Sequence, residues 1–556
     1  MQSNTQNLIK IYCENTSSYI DAERGSTLLE ILEQLNLTSN HRFIASCVNN
    51  KFRDLNFAMY ERRSVRFIDQ THFEGYRVYA RTLFFILYKV ISDLYPQSTL
   101  KINYSIGVGY YFEITNIEHN KLSISDIKSA MREIINKDIR ILRDRYEQKD
   151  VIEIYSKNNL HDKLSIIETH KCFYYTINKL DDKYGYFYGT LAPSTSYVNT
   201  FDIKPLKNGF YLCMPQRIKP NDIHEVIKYD QLFRVFEDHK KWNEIIKVST
   251  LGELNKRILL GESNQLIQIA ETFQINIFYK VAREIYSKIN DGLKLILIAG
   301  PSSSGKTTSS KKLNVQLQIF GLKPVVIAMD DYFINREDTP MDEKGNRNYE
   351  TINTVDIKTF NDNLNRLIAG ETVEMPKFDF VKGQRYYDGT FLKLEQNSVI
   401  IVEGIHALNP LLTPGIDSKH KYKIYVSALT SLSMDNLTFI NTTDNRLLRR
   451  IVRDNAYRGS SALDTIKRWG SVRRGEEENI FPFQEEADFM INTALFYEIN
   501  VLKRYVEPLL LEVPETEHAY AEARRLLKLL KFFTPMCEDN VPHTSILREF
   551  IGGSVF

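Results

Sequence analysis

Ile298-Ala299-Gly300-Pro301-Ser302-Ser303-Ser304-Gly305-Lys306-Thr307-Thr308 is the stretch that decides the fold, because it fits the spacing G-x-x-x-x-G-K-[ST]. The apolar run from Leu293 to Ala299 reads as a buried strand, and Thr307 to Gly321 reads as a helix. Between them, Gly300 and Gly305 can take backbone angles closed to other residues. The N–H groups of Ser302, Ser303, Ser304, Gly305 and the residues after them then turn inward at a helix N-terminus, a setting made for phosphate. Lys306 would reach the outer phosphates, Thr307 would offer its hydroxyl to a magnesium ion, and Thr308 would extend the cradle. The alternative, a small-residue turn before a helix, leaves the strand, the helix and the Lys-Thr pair without a common explanation.

Working outward, strand and helix signals alternate after Leu293. Further strands are expected at Pro324 to Met329, Ser398 to Val402 and Tyr422 to Ala428, which argues for a parallel sheet covered by helices. Upstream, Ser263 opens an expected helix with apolar residues at Leu266, Ile269, Phe273, Ile277, Val281 and Ile285. Residues 8 to 69 read as short strands around one helix capped by Ser26. Residues 70 to 235 read as an α+β stretch with a helix from Arg77 to Tyr95 and strands at Leu100 to Ile106 and Tyr110 to Ile114. Tyr520 to Phe533 is an amphipathic helix, expected to cover the core or a partner subunit in preference to a membrane surface. The expected units are 1–69, 70–235, 236–290 as a helical connector, 291–512 and 513–556.

Composition bounds the rest. A chain of 556 residues with 43% apolar and 26% charged residues is globular and multidomain, and its formal net charge of +2 gives no general polyanion-binding signal. The five cysteines follow no C-x-x-C spacing, the first residues lack the pattern of a signal peptide, and no apolar run approaches a membrane span of about 20 residues. A cytoplasmic protein without a membrane partner is expected.

Two carboxylates fall immediately after apolar strands. Asp330, with Asp331 beside it, follows Val325 to Met329, and Glu403 follows Val399 to Val402, both at the sheet edge where ligands sit in such folds. One can accept the proton of an attacking hydroxyl while the other holds magnesium, and Asp330 is a candidate for both roles. Further on, Arg446, Arg449, Arg450, Arg453 and Arg458 put five arginines in 13 positions. Guanidinium forks suit phosphate, so some are expected on a solvated helix face and one to three in the site.

These residues carry a resemblance. Gly300 to Thr308, Met329-Asp330-Asp331-Tyr332-Phe333, Pro376-Lys377-Phe378-Asp379-Phe380 followed by Arg385, Val402-Glu403-Gly404-Ile405 and Arg449 to Asp454 resemble, in order, the motifs of uridine kinase/phosphoribulokinase-type P-loop kinases. The resemblance implies an α/β P-loop kinase using ATP and Mg2+. It makes Asp330 the base that receives a nucleoside 5′-hydroxyl proton, gives Thr307 and Glu403 to the magnesium, and gives Arg453 and Arg458 to the lid. A substrate pocket would draw Tyr332, Phe333, Phe378 and Tyr386 for stacking and Glu350, Asp379 and Arg385 for the ribose. Gly383 stands where the family's uridine-cytidine kinases carry a base-reading His, and residues Leu429 to Thr443 are additional.

Residues 8 to 69 resemble a TGS domain, a β-grasp module. Tyr95-Pro96 through Gly107 to Phe112, with Pro193-Ser194-Thr195, resemble the second domain of threonyl-tRNA synthetase. That domain's His-x-x-x-His and Cys-x-x-x-His pairs have no counterpart: Arg77 and Arg81 follow His72, and Arg217 follows Cys213. The whole resembles bacterial TGS-bearing nucleoside kinases. The expected activity is transfer of the ATP γ-phosphoryl group to a nucleoside 5′-hydroxyl. Other hydroxyl substrates, such as a sugar phosphate or an RNA end, and an ATP-dependent regulator responding to RNA or a nucleotide through the N-terminal half, are the alternatives. A homo-oligomer is compatible with either.

Overall fold

The computed structural model describes residues 7–223, 229–341, 345, 347–349, 351–379 and 381–556. Glu350 and Phe380 lie outside the described residues. A five-stranded sheet forms the centre, in the spatial order Lys323–Ala328, Ser398–Glu403, Leu295–Ala299, Lys421–Ser427 and Phe489–Asn492, with every neighbouring pair parallel. The first four match the expected strands within a few residues. The fifth is only four residues long, too short to show a period in the sequence.

The central strand shows why its run is continuously apolar. Ile296 and Ile298 point into one core with Leu313 and Leu317 of the helix Lys306–Ile319 and Val281 and Ile285 of the helix Ser263–Lys288. Leu295, Leu297 and Ala299 point into a second core with Phe360 and Leu364 of the helix Ile357–Ile368. A strand covered on both faces has no polar side to show. Each of the buried Leu, Ile, Val and Phe side chains contributes roughly 1.5–3 kcal/mol by leaving water.

Upstream, residues 8–69 form a mixed sheet in the order Ser18–Glu23, Leu8–Cys13, Ser64–Asp69, Phe43–Val48, Lys51–Arg53, with only Leu8–Cys13 and Ser64–Asp69 parallel. Its helix Leu28–Leu35 is capped by Thr27, not Ser26: Thr27 and Glu30 form a reciprocal capping box, at 2.7 Å from the Thr27 N–H to the Glu30 carboxylate. The next stretch packs the helix Phe73–Leu94 against a four-stranded antiparallel sheet built from Asp202–Leu206, Gly209–Cys213, Gly109–Thr115 and Thr99–Ile106. That helix begins four residues earlier than expected because the His72 ring caps it.

The helix Asp230–Ile245 runs through the expected boundary at 235–236, and its Leu232 and Phe236 join the second core of the central sheet. The C-terminal helix Tyr520–Leu530 turns its apolar face inward, with Leu526 and Leu530 fully buried in the first core. Among the described residues, no helix is long and apolar enough to cross a membrane. The additional residues after Lys421–Ser427 form the hairpin Ser433–Asp435 and Thr438–Phe439, which reaches the N-terminal half. There Asp435 pairs with Lys163 at 2.7 Å, both buried, and Asn436 O accepts from the Ile102 N–H at 2.7 Å.

Candidate active site

The site lies at the C-terminal ends of the parallel strands. Gly300 packs so closely on the neighbouring strand that a Cβ there would lie 2.0 Å from the Val426 carbonyl oxygen, so no side chain fits. Gly305 caps the following helix at φ +84°, leaving its first N–H groups without a side-chain acceptor. Ser303 and Ser304 are buried, and their hydroxyls have no hydrogen-bond partner. Buried polar groups without partners at a helix N-terminus fit an anion that brings its own acceptors.

Lys306 folds back on the loop and donates to Pro301 O at 3.2 Å. Burial pulls its ammonium below the ordinary lysine range, opposed by the charges of Glu403, Asp330 and Glu549. Thr307 donates to Glu403 Oε1 at 3.0 Å, so the hydroxyl and both carboxylates share one edge of the sheet. Oxygen donors of this kind suit a hard cation such as magnesium.

The two adjacent aspartates face different ways. Asp331 accepts from the Phe378 N–H at 3.3 Å and pairs with Lys377 at 3.2 Å, which ties the strand Val373–Asp379 to the loop. Asp330 faces Lys306 and Glu403. Solvent reaches its surface, yet protein atoms crowd it in the cleft, and this desolvation with the Glu403 charge pushes its carboxyl up to about 6 against the pull of Lys306. A proton acceptor poised near neutral pH is the result.

The arginine helix Thr442–Arg458 differs from the expected solvated face. Arg446 and Arg449 are among the most buried large side chains of the protein. Arg446 donates to Ser302 O at 2.9 Å and pairs with Glu476, whose Oε1 also accepts the Ser302 N–H at 3.0 Å. Arg449 pairs with Glu498 and donates to Thr493 O at 2.9 Å, while the Thr493 hydroxyl donates to Ser304 O at 2.6 Å. Arg450 donates to the Ser302 hydroxyl at 2.8 Å. These three arginines with Glu476, Glu498 and Thr493 hold the phosphate loop in shape. Only the density of arginines hinted at this; their partners lie 30 or more residues away, and no local spacing reveals them. Arg453 and Arg458 both lean on Asp454, Arg453 at 2.8 Å and the more exposed Arg458 at 3.6 Å.

Among the described residues, Phe333, Phe378, Asp379, Arg385 and Tyr386 lie on and beside the hairpin Val373–Asp379 and Gln384–Leu392, while Tyr332 lies in the core. Tyr332 is fully buried, edge-on to Phe360 with its hydroxyl against Asn363 Nδ2 at 3.2 Å, so it offers no face to a ligand; the adjacency to Asp330 in sequence hides its inward turn. Phe333 and Phe378 meet edge to face at 5.8 Å. Asp379 accepts from the N–H groups of Val381 and Lys382, both at 2.9 Å, and closes a turn. Arg385 donates to Asp356 at 2.8 Å, the N-cap of the helix Ile357–Ile368. Tyr386 stands half-exposed on the strand Gln384–Leu392. Gly383 has φ +70°, and a Cβ there would lie 2.7 Å from Arg336 Cβ, so the turn itself favours the glycine that stands here in place of the uridine-cytidine kinases' His.

Residues 295–498 match the phosphoribulokinase / uridine kinase family model. A uridine kinase from Ligilactobacillus salivarius is 31% identical over 199 residues, 35% of this chain and 84% of that protein. A Staphylococcus aureus uridine kinase is 32% identical over 199 residues, 35% of this chain and 86% of that protein. This chain belongs to the phosphoribulokinase / uridine kinase family. A third member, a Halobacterium salinarum uridine kinase, is 28% identical over 212 residues, 38% of this chain and 85% of its own length. As a member of this kinase family the chain is an ATP-dependent phosphotransferase. The family match begins at the phosphate-loop strand, and residues 7–294 lie outside it.

Proposed function

We propose that this kinase transfers the γ-phosphoryl group of ATP to the 5′-hydroxyl of a nucleoside. The observation that carries the reading is the sheet edge after Met329, where Asp330, raised to about 6, lies within the electrostatic reach of Lys306 beside the phosphate loop. A nucleoside hydroxyl presented to Asp330 would lose its proton to that carboxylate as the oxygen attacks phosphorus. Lys306 and the loop N–H groups would hold the outer phosphates, and Arg453 and Arg458, released from Asp454, would neutralise charge on the transferring group. Magnesium, held by the Thr307 hydroxyl with Glu403, would supply charge neutralisation at the outer phosphates, while Asp330 serves as the base. The direction of Asp331 toward Lys377 supports Asp330 as the base.

Gly383, fixed by its turn, stands where the family's uridine-cytidine kinases carry a base-reading His. We therefore propose a base preference that departs from strict uridine and cytidine and admits a purine nucleoside. The test is a screen of common nucleosides with ATP, read as the nucleoside 5′-monophosphate by mass spectrometry. No product from any nucleoside, with ADP released on another hydroxyl substrate, would move the assignment to a different acceptor.

For the N-terminal half we propose a TGS-like β-grasp unit followed by a scaffold resembling the synthetase second domain. The sheet order of residues 8–69 and the helix-on-sheet packing after it support this reading. The residues that replace the synthetase ligands have structural partners of their own: Arg81 and Arg77 pair with Glu74, and Arg217 donates to Thr71 O at 2.7 Å. The hairpin Ser433–Phe439, which touches this half and leads directly into the arginine helix, is the route by which an RNA or nucleotide effector bound there would act on the kinase site.

A further inference from the structure

The C-terminal segment comes from outside the family match, yet it packs on the phosphate loop. It is firmly anchored. Ser545 donates to Glu271, which also accepts the Tyr497 hydroxyl, and Arg548 holds the carbonyls of Glu538 and Val541 at 2.9 and 2.8 Å. Ile546, Leu547 and Phe550 are fully buried. Phe550 lies under the Arg449 guanidinium at 4.9 Å, and a Cβ on Gly305 would lie 2.8 Å from Ile546 Cγ2. This anchoring projects Glu549 at the helix N-terminus, where Oε2 accepts the Thr308 hydroxyl at 2.6 Å. Its charge acts on both Lys306 and Arg458, the cations assigned above to the triphosphate.

We infer that Glu549 is a specificity-determining residue of the nucleotide site, a fixed internal anion beside the phosphate cradle that favours metal-complexed ATP over bare polyphosphate. The inference rests on the proposed use of this cradle for ATP. A carboxylate here satisfies Thr308 and the positive helix end while the cradle is empty. An incoming phosphate chain must take over the Thr308 hydroxyl and tolerate a negative neighbour. The repulsion grows with the uncompensated charge of the ligand, so a chain neutralised by a divalent cation suffers less than a naked one.

The test is isothermal titration of the full-length protein and of Glu549→Gln with three probes: ATP with magnesium, ATP in EDTA and inorganic tripolyphosphate in EDTA. The amide keeps an acceptor for Thr308 and removes the charge. The two metal-free probes should bind the variant about tenfold tighter or more and magnesium-ATP only about threefold tighter, with both gains shrinking as salt is raised. Equal gains for all probes, no gain, or weaker binding would overturn the inference. Should the amide variant melt early, Glu549→Asp, which withdraws the carboxylate by one methylene, replaces it, with a gain of about two- to fivefold expected for the metal-free probes; no gain there also overturns it. Failure of the wild-type protein to bind magnesium-ATP at all would instead refute the nucleotide reading.

Discussion

Replacing Glu476 by Gln should loosen the phosphate loop without touching a phosphate ligand. Glu476 is 1% exposed, pairs with the equally buried Arg446 and accepts the Ser302 N–H at 3.0 Å, while Arg446 donates to Ser302 O at 2.9 Å. One residue of the cradle is thus clamped from both sides by a single ion pair. Removing one partner of a buried pair costs roughly 3–5 kcal/mol, because the other charge is left uncompensated. Gln keeps an oxygen for Ser302, and Arg446 keeps the Ser302 carbonyl, so the loss should be about 2–4 kcal/mol. For a cooperative unit of about 200 residues this lowers the melting temperature by on the order of 5–10 °C. If half of that energy had held the loop in its binding shape, ATP affinity falls by roughly 5- to 30-fold. Thermal melting followed by circular dichroism gives the first number and titration calorimetry with magnesium-ATP the second. A melting temperature within about 2 °C of wild type together with unchanged ATP affinity would refute the bracing argument.

Asp330→Asn should bind ATP nearly normally and lose on the order of 10²–10⁴ in kcat, and a larger loss in Asp331→Asn would mean that the wrong aspartate has been taken as base. Because Asp330 is raised to about 6 and acts ionised, kcat/KM should climb between pH 5 and 7 and level off above; a flat profile over that range argues against it. Gly383→His should destabilise the protein by about 1–3 kcal/mol, since φ +70° and the approach of Arg336 oppose any side chain, and it should not create uridine selectivity; a stable, uridine-selective variant would contradict the turn argument. Arg525→Leu removes a two-pronged pairing with Asp444 at 2.8 and 2.7 Å at the start of the arginine helix and should destabilise by about 3–5 kcal/mol in denaturant unfolding, whereas a loss under 1 kcal/mol would show the pairing to be dispensable.

The parallel sheet was readable because doubly covered strands are continuously apolar and because the phosphate loop carries its own spacing. Glu403 is readable for the same reason, being the first polar residue after such a strand, and Asp330 follows the apolar run from Val325 to Met329 of the partly exposed edge strand Lys323–Ala328. What escaped depends on long-range packing. The roles of Arg446 and Arg449 as loop braces follow from Glu476 and Glu498 on other helices, and Glu549 approaches from 241 residues beyond Thr308. Among the aromatic residues named for the substrate side, Tyr332 lies in the core for a related reason: its residue type suits a core as well as a stacking surface, and only its partners Phe360 and Asn363 decide.

Phosphoryl transfer to a nucleoside, with Asp330 as proton acceptor, makes two products whose amounts must match. The most direct measurement incubates the full-length protein, and Asp330→Asn beside it, with magnesium-ATP and each common nucleoside, and quantifies nucleoside 5′-monophosphate and ADP by mass spectrometry. The wild-type protein should form equimolar ADP and 5′-monophosphate from at least one nucleoside, and the variant should do so at a rate lower by a factor on the order of 10²–10⁴. ADP formed at the same rate with and without every nucleoside, or a 5′-monophosphate yield untouched by Asp330→Asn, would contradict it.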